Sequence, residues 1–275
     1  MKNWLKNKTV VLTGASGGIG RELCKLLVKT YGAHVIGIGR SEEKMLSLQD
    51  DLKDAAGEVS YRLFDVGQAT AWSSFANELQ NEVGEVAVLI HNAGMFPTFD
   101  KCLQLPTDTI EKVMQTNYFS AVYGTKALAP LLCEQNPSIV FICSSSALCT
   151  VAGTSAYSAS KSAMKGYAEA LQMEERGKKS VTIIYPGTTA TELFRDDVNT
   201  KNSALDLVAM PAQKMAKKIV RRILRRRRRA VLGLDAKLMN FTAKCFPVLG
   251  LSLIAKVMKA SKSKVFQNVY DYEKK

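Results

Sequence analysis

The sequence has few of the features that mark a disulfide-rich or zinc-binding protein. Its six cysteines occur without a CxxC pair. This spacing argues against a zinc site, and it gives a chain of 275 residues no disulfide framework. We therefore expect reduced thiols in a cytosolic protein. The cysteines are Cys24, Cys102, Cys133, Cys143, Cys149 and Cys245.

Long apolar runs are also missing. The amino terminus, MKNWLKNKTVVLTG, has lysines but no apolar core before its first strand-like run, so we expect no cleaved signal peptide. The longest uncharged stretch of the tail, CFPVLGLSLIA at 245–255, is too short to span a bilayer and contains Pro247 and Gly250. The sequence therefore predicts no spanning helix, and we expect a cytoplasmic protein, either free or peripheral on a membrane.

Acidic residues are scarce in the last quarter of the chain. Lysine and arginine number 20 against 22 aspartates and glutamates in residues 1–210, but 18 against 3 in residues 211–275. The net charge of +13 therefore belongs to the tail, while the bulk of the chain is near neutral. We expect any polyanionic partner to meet the tail.

Short β-branched runs alternate with helix-length amphipathic segments along most of the chain. This alternation predicts right-handed βαβ crossovers and a parallel sheet covered by helices on both faces. No repeat of fixed period and no low-complexity linker divides the sequence. We predict an α/β fold, a Rossmann-type doubly wound domain at 1–235 with a C-terminal helical extension at 236–275. The predicted strands are 9–13, 34–39, 59–64, 86–90, 138–143, 181–185 and 230–234.

A glycine-rich motif, TGASGGIG at 13–20, connects the first predicted strand to a helix. Gly14 permits a tight turn, Gly18 permits the backbone to approach a pyrophosphate, and Gly20 permits close packing of helix on strand. The phosphates would then lie at the helix amino terminus, where free N–H groups and the helix dipole stabilise them. A plain turn is the alternative, but the strand–turn–helix context favours a dinucleotide site.

The end of the second predicted strand indicates which dinucleotide is preferred. An acidic residue usually binds the ribose 2′-OH at this position, whereas here Gly39 is followed by Arg40 and Ser41. A guanidinium is suited to bind a 2′-phosphate, so the sequence favours NADP(H) over NAD(H). In the alternative, Arg40 is a solvated loop residue and Glu42 or Glu43 binds the ribose. We expect both glutamates in the first turn of the next helix, with Ser41 as its N-cap.

The motif YSASK at 157–161 places a tyrosine and a lysine on one helical face. A lysine ammonium close to a phenol favours the phenolate and lowers the tyrosine pKa from its usual value of about 10. Such a tyrosine is suited to general acid–base chemistry at neutral pH. An isolated pair with this spacing would be an ordinary solvated pair on a helix surface.

With these residues together, the chain resembles the short-chain dehydrogenase/reductase family over about residues 7–235. His91 is the one departure, because the family often has a second asparagine there. We interpret His91 as a buried or loop histidine without a catalytic role. The matching motifs in chain order are TGASGGIG at 13–20, Asp65 and Val66, HNAG at 91–94, Asn117, a serine thirteen residues before the tyrosine, YSASK at 157–161 and YPG at 185–187.

The resemblance implies a four-residue catalytic set. Tyr157 would protonate the carbonyl oxygen as hydride arrives from the nicotinamide, or remove that proton in the oxidation. Lys161 would bind the nicotinamide ribose and lower the tyrosine pKa. The thirteen-residue spacing selects Ser144, rather than its neighbours Ser145 and Ser146, to position the substrate oxygen. Asn117 would hold a water that connects Lys161 to solvent; its alternative is an ordinary polar residue inside a helix.

The resemblance also implies a set of residues that bind NADP(H). Asp65 and Val66 would contact the adenine, and the residues at 92–94 the adenosine side of the groove. The residues after the sixth strand would contact the nicotinamide and its phosphate. The full set is Gly14, Ser16, Gly18, Ile19, Gly20, Arg40, Asp65, Val66, Asn92, Ala93, Gly94, Tyr157, Lys161, Pro186, Gly187, Thr188 and Thr191.

In the family the loop after YPG, here 188–210, covers the substrate. Apolar residues in and around it predict a lipophilic ketone or secondary alcohol, such as a steroid, a bile acid or a long-chain oxo compound. Arg195 and Lys201 are the only cations in the loop that could bind a carboxylate or phosphopantetheine, so a 3-oxoacyl (ACP/CoA) reductase is the weaker alternative. A cofactor-binding scaffold or sensor that acts through its basic tail is another. The apolar residues are Phe96, Leu148, Cys149, Val151, Phe194, Leu205, Leu207 and Val208.

The tail opens with an amphipathic helix whose polar face is wholly basic, and seven arginines lie among the nine residues 221–229. We expect its apolar stripe to pack in the core before a last strand at 230–234. The arginines and the apolar–lysine pattern beyond them suit an anionic membrane surface, with a merely solvated face as the alternative. No aromatics lie among the arginines, so we expect no nucleic-acid partner. Phe241 and Phe246 could cover the active site or form the contact of a homo-oligomer.

Overall fold

A computed structural model describes residues 3–191, 193 and 209–270 of the chain. Seven strands form one parallel sheet in the order β3-β2-β1-β4-β5-β6-β9, and β7 and β8 pair separately. The first six strands follow the order of a doubly wound dinucleotide-binding sheet. The strands are β1 (Thr9–Thr13), β2 (His34–Gly39), β3 (Glu58–Leu63), β4 (Val88–His91), β5 (Ser138–Ile142), β6 (Ser180–Pro186), β7 (Thr189–Ala190), β8 (Met210–Pro211) and β9 (Arg229–Leu232).

Helices cover both faces of this sheet, as the alternating pattern predicts. Side chains of α1, α2 and α7 share one buried cluster with the sheet. Those of α3, α5 and α6 share a second cluster on the opposite face. The helices are α1 (Gly18–Tyr31), α2 (Glu42–Asp50), α3 (Ala69–Glu82), α4 (Thr107–Met114), α5 (Ser120–Leu128), α6 (Ser155–Glu174), α7 (Ala212–Leu224), α8 (Leu234–Cys245) and α9 (Leu249–Ala260), with a π-helical turn at Gln115–Phe119 and 3₁₀ turns at Ala129–Leu131, Ser145–Ala147 and Lys264–Phe266.

The prediction for α7 is confirmed, whereas the predicted last strand was wrong at its end. The apolar stripe of α7 is buried, and β9 ends at Leu232 rather than at residue 234. Gly233 has a φ of 114°, which only glycine adopts readily, and this turn starts α8 at Leu234. The buried stripe is Met215, Ala216, Ile219, Val220, Ile223 and Leu224.

Two arginines of the basic block have structural partners. The guanidinium of Arg226 lies 4.4 Å from the centre of the Trp4 ring and donates a 2.6 Å hydrogen bond to the carbonyl of Asn136. The Trp4 indole N–H in turn donates to the carbonyl of Leu224 at 3.1 Å. Arg229 lies 5.1 Å from the centre of the Tyr185 ring. These arginines join the amino terminus, the end of α7 and β6, so the block is not only a solvated surface.

Helices α8 and α9 pack against each other beside the edge strand β9. Arg229, the first residue of β9, donates to Asn240 in the middle of α8 at 2.9 Å, so α8 runs back along the strand that precedes it. Gly250 of α9 lies against Thr242 of α8, where a Cβ on the glycine would meet the Thr242 carbonyl oxygen at 3.0 Å. Phe241 and Phe246 pack on each other at 6.5 Å but stay about half exposed.

None of the helices in the described ranges is long and apolar enough to cross a bilayer.

Candidate active site

The glycine motif forms a backbone cradle between β1 and α1. Gly14 has a φ of 66°, and a Cβ there would lie 2.9 Å from the Cα of Ala93. Gly18 has a φ of 50° and lies beneath Thr191, whose Cβ is 3.2 Å from the position of a Cβ on the glycine. Gly20 contributes packing, because a Cβ there would overlap the carbonyl oxygen of Gly14. Side chains at these positions would collide with the neighbouring backbone or with Thr191, so the glycines allow the close approach that shapes the cradle.

The end of β2 presents two cations and no carboxylate to this cradle. Arg40 is exposed and has no ion-pair or hydrogen-bond partner among the described residues. Ser41 caps α2 by accepting from the N–H of Lys44 at 3.3 Å, as predicted, so Glu42 and Glu43 lie in the first helical turn. Lys44 lines the same cavity as Arg40, a contribution that the sequence reasoning missed. Its spacing of three residues from the N-cap was the available signal.

The residues after β3 and β4 are fixed by local hydrogen bonds. Asp65 accepts from the N–H of Gly67 at 2.9 Å, and the carbonyl of Val66 accepts from the Trp72 indole at 2.9 Å. Asn92 donates from its side chain to the carbonyl of Thr13 at 3.0 Å. The hydroxyl of Thr13 accepts from the backbone N–H groups of Asn92 and the following alanine, each at 2.9 Å. These bonds tie the ends of β1 and β4 together.

Tyr157 and Lys161 lie on α6, and Ser144 follows β5. The side chains of Tyr157 and Ser144 face the same cavity, and Ser144 is close enough to influence the proton of the tyrosine. Ser144 also accepts from the N–H of Ser146 at 3.1 Å, which fixes its hydroxyl at the start of a 3₁₀ turn. Lys161 donates to the carbonyl of Ile142 at 3.1 Å, and its Nζ lies 5.9 Å from the centre of the Tyr157 ring. The three predicted side chains therefore meet at the carboxyl end of β5.

Burial dominates the proton equilibria of this cluster. It raises the pKa of Tyr157 to about 12, opposed by the nearby hydroxyl of Ser144. This is opposite to the lowering that the spacing of tyrosine and lysine predicts, and that expectation was wrong for the chain without a cofactor. Burial also lowers the pKa of Lys161. The ammonium lies against the ring face and bonds a carbonyl, which weakens its effect on the phenol.

Asn117 lies in the π-helical turn Gln115–Phe119 and is completely buried. Its side chain accepts from the N–H of Met95 at 2.7 Å and donates to the Met95 carbonyl at 2.9 Å and to the Ser160 hydroxyl at 2.9 Å. A π turn often marks a functional position. The side chain here connects the loop after β4 to the catalytic helix, one residue before Lys161.

His91 is buried at the end of β4. Its Nε2 lies 2.9 Å from the hydroxyl of Thr125, and its ring packs 5.0 Å from that of Phe141. Burial lowers its pKa to about 3, so it is neutral at physiological pH. This geometry agrees with the interpretation of His91 as a buried histidine with a satisfied hydrogen bond.

The segment after β6 is held by a residue that the sequence reasoning missed. Asp235, in the first turn of α8, accepts from the backbone N–H of Thr188 at 2.6 Å. Its carboxylate also occupies the space that a Cβ on Gly187 would need. A carboxylate in a first helical turn is a common capping signal, but its partner 47 residues away is visible only in the fold.

These elements surround one cavity of about 460 Å³ at the carboxyl ends of the strands. Most of the predicted site residues line it, but Gly20, Asn117 and Thr188 do not; Thr189 and Leu193 line it in addition. The predicted site residues on its wall are Gly14, Ser16, Gly18, Ile19, Arg40, Asp65, Val66, Asn92, Ala93, Gly94, Ser144, Tyr157, Lys161, Pro186, Gly187 and Thr191.

The predicted apolar cleft is only partly within this cavity. Phe96 lines it, together with Met95, whereas Leu148, Cys149 and Val151 do not. Cys149 is buried, and Leu148 packs against the core beneath the sheet. The loop residues Phe194, Arg195, Lys201, Leu205, Leu207 and Val208 lie outside the described residues.

Comparison with known proteins decides the family. The family model described as short chain dehydrogenase matches residues 8–202. The chain belongs to the short-chain dehydrogenase/reductase family. It is therefore a member of a family of oxidoreductases, as its motifs predict. His91 is the one position at which its motifs depart from the pattern quoted above.

Relatives within the short-chain dehydrogenase/reductase family extend over much of the chain. The Bos taurus protein named Dehydrogenase/reductase SDR family member 7B is 33% identical over 74% of this chain and 64% of its own length. The 3-ketodihydrosphingosine reductase of Dictyostelium discoideum is 31% identical over 72% of this chain and 64% of its own length. The chain thus matches somewhat less than two thirds of the length of these two curated relatives.

A solved structure supports the fold. The short chain dehydrogenase/reductase of Burkholderia phymatum, in complex with NAD, superposes with a TM-score of 0.75 at 21% identity. The superposition covers 84% of this chain and 90% of that one. At this identity the likeness establishes the architecture of the sheet and helices.

Proposed function

We propose that this chain is an NADP(H)-dependent reductase that interconverts a lipophilic ketone and a secondary alcohol. The observation that carries the proposal is that Ser144, Tyr157 and Lys161 line the same cavity as the glycine cradle. A cavity of about 460 Å³ is in the range of small-molecule and cofactor sites. Gly14 and Gly18 present bare backbone to this cavity, which suits the close approach of a dinucleotide.

A dinucleotide bound in this cavity would supply or accept the hydride. Tyr157 donates its proton to the carbonyl oxygen in the reduction, and the raised pKa keeps it protonated for this purpose at neutral pH. Ser144 holds the same oxygen through a second hydroxyl. Lys161 binds the nicotinamide ribose and provides a buried positive charge beside the reacting groups. Asn117 fixes the loop after β4 to α6 and so keeps Lys161 in position.

A substrate panel with NADPH tests this proposal. We expect turnover of at least one class among oxo-steroids, long-chain oxo compounds and simple diketones, and a fall of at least about a hundredfold in Tyr157→Phe. Tyr167→Phe is the matched control on the same helix and should keep its activity. Turnover undiminished in Tyr157→Phe would contradict the proposal. NADPH binding without turnover of any ketone would favour the alternative of a cofactor-binding scaffold or sensor.

The preference for NADP(H) rests on Arg40, which faces the cradle without a carboxylate partner among the described residues. Lys44 adds a second cation on the same cavity wall. Arg40→Asp should lower kcat/KM with NADPH by about ten- to a hundredfold while kcat/KM with NADH stays the same or rises. Lys29→Asp, at an exposed residue in the last turn of α1, is the charge-matched control. A higher kcat/KM with NADH than with NADPH in the unaltered protein would overturn this assignment.

A long-chain oxo compound is the substrate class that we propose first. Met95, Phe96 and Leu193 give the cavity apolar walls beside Tyr157. The relative named 3-ketodihydrosphingosine reductase supports the same class for this chain. A 3-oxoacyl thioester remains the weaker alternative, because it requires a cation that binds phosphopantetheine. A higher kcat/KM for a 3-oxoacyl thioester than for an uncharged long-chain ketone would favour that alternative.

We also propose that α8 and α9 form a peripheral contact with an anionic membrane surface. Nine large apolar side chains of this helical pair are at least 43% exposed, which is unusual for a free surface. Four exposed lysines lie among them, as in helices that lie in a bilayer interface. The apolar residues are Leu234, Leu238, Phe241, Phe246, Val248, Leu249, Leu251, Leu253 and Val257, and the lysines are Lys237, Lys244, Lys256 and Lys259.

Vesicle co-sedimentation tests this contact. Binding should increase with the fraction of anionic lipid and fall with added salt, because salt screens surface charges. Replacing Arg225, Arg227 and Arg228 by serine should weaken it while preserving the contacts of Arg226 and Arg229. A triple replacement of exposed lysines elsewhere, Lys29, Lys53 and Lys126, is the matched control. If vesicle binding changed neither with salt nor in the arginine variant, the arginines would be a solvated face. If the protein formed a dimer that buries the apolar side chains, this surface would be the contact of a homo-oligomer.

A further inference from the structure

The last described segment of the chain, 263–270, returns from the C-terminal helices to the catalytic end of the sheet. Phe266 lies in the 3₁₀ turn Lys264–Phe266 and is only 4% exposed. Its ring meets that of Phe99 edge to face, with the centroids 5.1 Å apart. The extension therefore contributes a buried aromatic residue to the loop that follows β4, whereas Phe241 and Phe246 remain on the surface.

Phe266 is the outer member of a continuous row of aromatic rings that ends at the catalytic tyrosine. Phe99 packs on Phe96 at 4.7 Å, and Phe96 meets the ring of Tyr157 edge to face at 5.3 Å. Phe96 is also part of the cavity wall. Aromatic pairs of this geometry contribute about 0.5–1.5 kcal/mol each beyond the area that they bury. The row thus connects the extension to the reacting group through packed side chains.

A second contact of the same segment reaches the turn before α6. A Cβ on Gly153 would lie 2.5 Å from a methyl carbon of Val269, so only glycine leaves room for that side chain. Gly153 has a φ of 82°, which glycine adopts without strain. Its carbonyl accepts from the N–H of Asp100 at 3.2 Å. The segment 263–270 therefore packs on both loops that flank Tyr157, the loop after β4 and the turn that begins its helix.

We propose that segment 263–270 supports the wall of the substrate cleft from outside the cavity, with Phe96 as the wall residue that contacts the apolar body of the substrate. Phe266 and Phe99 are positioning residues that hold Phe96 in place. An unsupported Phe96 ring could rotate away from the cavity, and a long apolar substrate would lose contact along its length. A small ketone that reaches only Ser144 and Tyr157 does not contact Phe96, so its binding does not depend on this support.

The inference rests on the proposed ketone reductase function, and paired substrates keep the two questions separate. Phe266→Ala should lower kcat/KM for a long-chain ketone by about tenfold, mainly through KM. It should leave kcat/KM for a small diketone and the Kd of NADPH unchanged. Phe266→Leu, which keeps most of the apolar volume, should recover part of the loss. Met173→Ala, at an exposed apolar side chain near the end of α6, is the control and should leave kcat/KM for both ketones unchanged.

If Phe266→Ala lowered kcat/KM equally for the long-chain ketone and the small diketone, the inference would be overturned, but the proposed reductase function would still hold. Failure of the reductase function has a different signature, because Tyr157→Phe would then not reduce turnover of any ketone. Phe99→Leu provides an independent variant if Phe266→Ala does not fold. It removes the ring contacts to both neighbours, and it should raise KM for the long-chain ketone selectively. An unchanged ratio of the two KM values in Phe99→Leu would also contradict the proposal.

Discussion

At the residue scale, two effects compete for the proton of Tyr157. The lysine four residues later was expected to favour the phenolate, but burial raises the tyrosine pKa to about 12, and Ser144 rather than the lysine opposes it. Spacing on a helix determines that two side chains share a face, whereas their distance and hydration depend on what covers them. The covering elements are β5 and the loop after β4, which lie far away in sequence. The direction of the pKa shift was therefore not predictable from YSASK alone.

His91 is expected to make stability depend on pH. Burial lowers its pKa from 6.5 to about 3 in the folded chain, so the unfolded chain alone takes up this proton as pH falls below about 6.5. The stabilising contribution is complete above the unfolded value and is lost toward pH 3. Between pH 6 and 4, each unit should lower the unfolding free energy by up to about 1.4 kcal/mol.

Urea titrations of His91→Asn across this range measure the effect. The difference in unfolding free energy between the variant and the unaltered protein should shift in favour of the variant as pH falls, because asparagine does not titrate. Asn77→Ala, at an exposed residue that does not titrate, is the control and should leave the pH dependence unchanged. A pH-independent difference for His91→Asn would show that the buried imidazole does not control acid stability.

Asp235 is expected to control the affinity for the dinucleotide through the segment after β6. Its carboxylate holds the N–H of Thr188 and packs on Gly187, which lines the cavity. A hydrogen bond to a charged group contributes about 1.5–3 kcal/mol. Asp235→Ala should therefore raise the Kd of NADPH by about tenfold or more, measured by quenching of protein fluorescence. Asp235→Asn, which keeps an acceptor, should raise the Kd less. Asp54→Ala, at an exposed residue, should leave the Kd unchanged. An unchanged Kd in Asp235→Ala would contradict the role of Asp235 in cofactor affinity.

At the element scale, regular patterns were predicted well and their ends less well. The period of the apolar residues placed the seven sheet strands to within two residues, because most of these strands are short runs of buried apolar side chains. The stripe of α7 was correct for the same reason. The end of β9 was wrong because Gly233 turns the chain two residues earlier than the apolar run suggests. The π turn at Asn117 had no signal in the periodicity.

The packing of α8 on α9 gives a prediction at this scale. Gly250 has no room for a side chain against Thr242, so Gly250→Val should separate the two helices at a cost of about 1–3 kcal/mol. Hydrogen exchange should then accelerate in 234–260 and stay unchanged in the central strands. Gly166→Ala is the control, because a Cβ at this position meets nothing within 4 Å. The substitution should stabilise α6 by about 0.5–1 kcal/mol, since alanine favours the helix more than glycine does. Unchanged exchange in 234–260 would mean that the helices tolerate the extra volume.

At the scale of the whole molecule, the proposed cofactor site couples distant parts of the chain. Its wall takes residues from the ends of β1, β2, β4, β5 and β6. A ligand that binds only the folded state therefore stabilises all of these elements together. Charge is divided just as clearly, since residues 1–210 are near neutral and the excess of lysine and arginine over aspartate and glutamate lies in residues 211–275.

Thermal unfolding with cofactor measures this coupling. NADPH at about a hundred times its Kd should increase the free energy of unfolding by about 2.7 kcal/mol and raise the Tm by about 5–10 °C. NADH at the same concentration should raise the Tm less, because it lacks the phosphate that Arg40 binds in our proposal. In Arg40→Ser the two cofactors should become nearly equivalent. A larger rise with NADH than with NADPH in the unaltered protein would contradict the proposed preference.

The sequence by itself determined the features that depend on neighbours along the chain. The glycine cradle, the cap at Ser41, the order of strands and helices and the family all follow from short motifs and local periodicity. Only the tertiary structure decided which distant residues complete the site. Asp235 reaches Thr188 across 47 residues, and Phe266 reaches Phe99 across a still longer separation. Such contacts arise from how the extension packs on the sheet, and no local pattern encodes that packing.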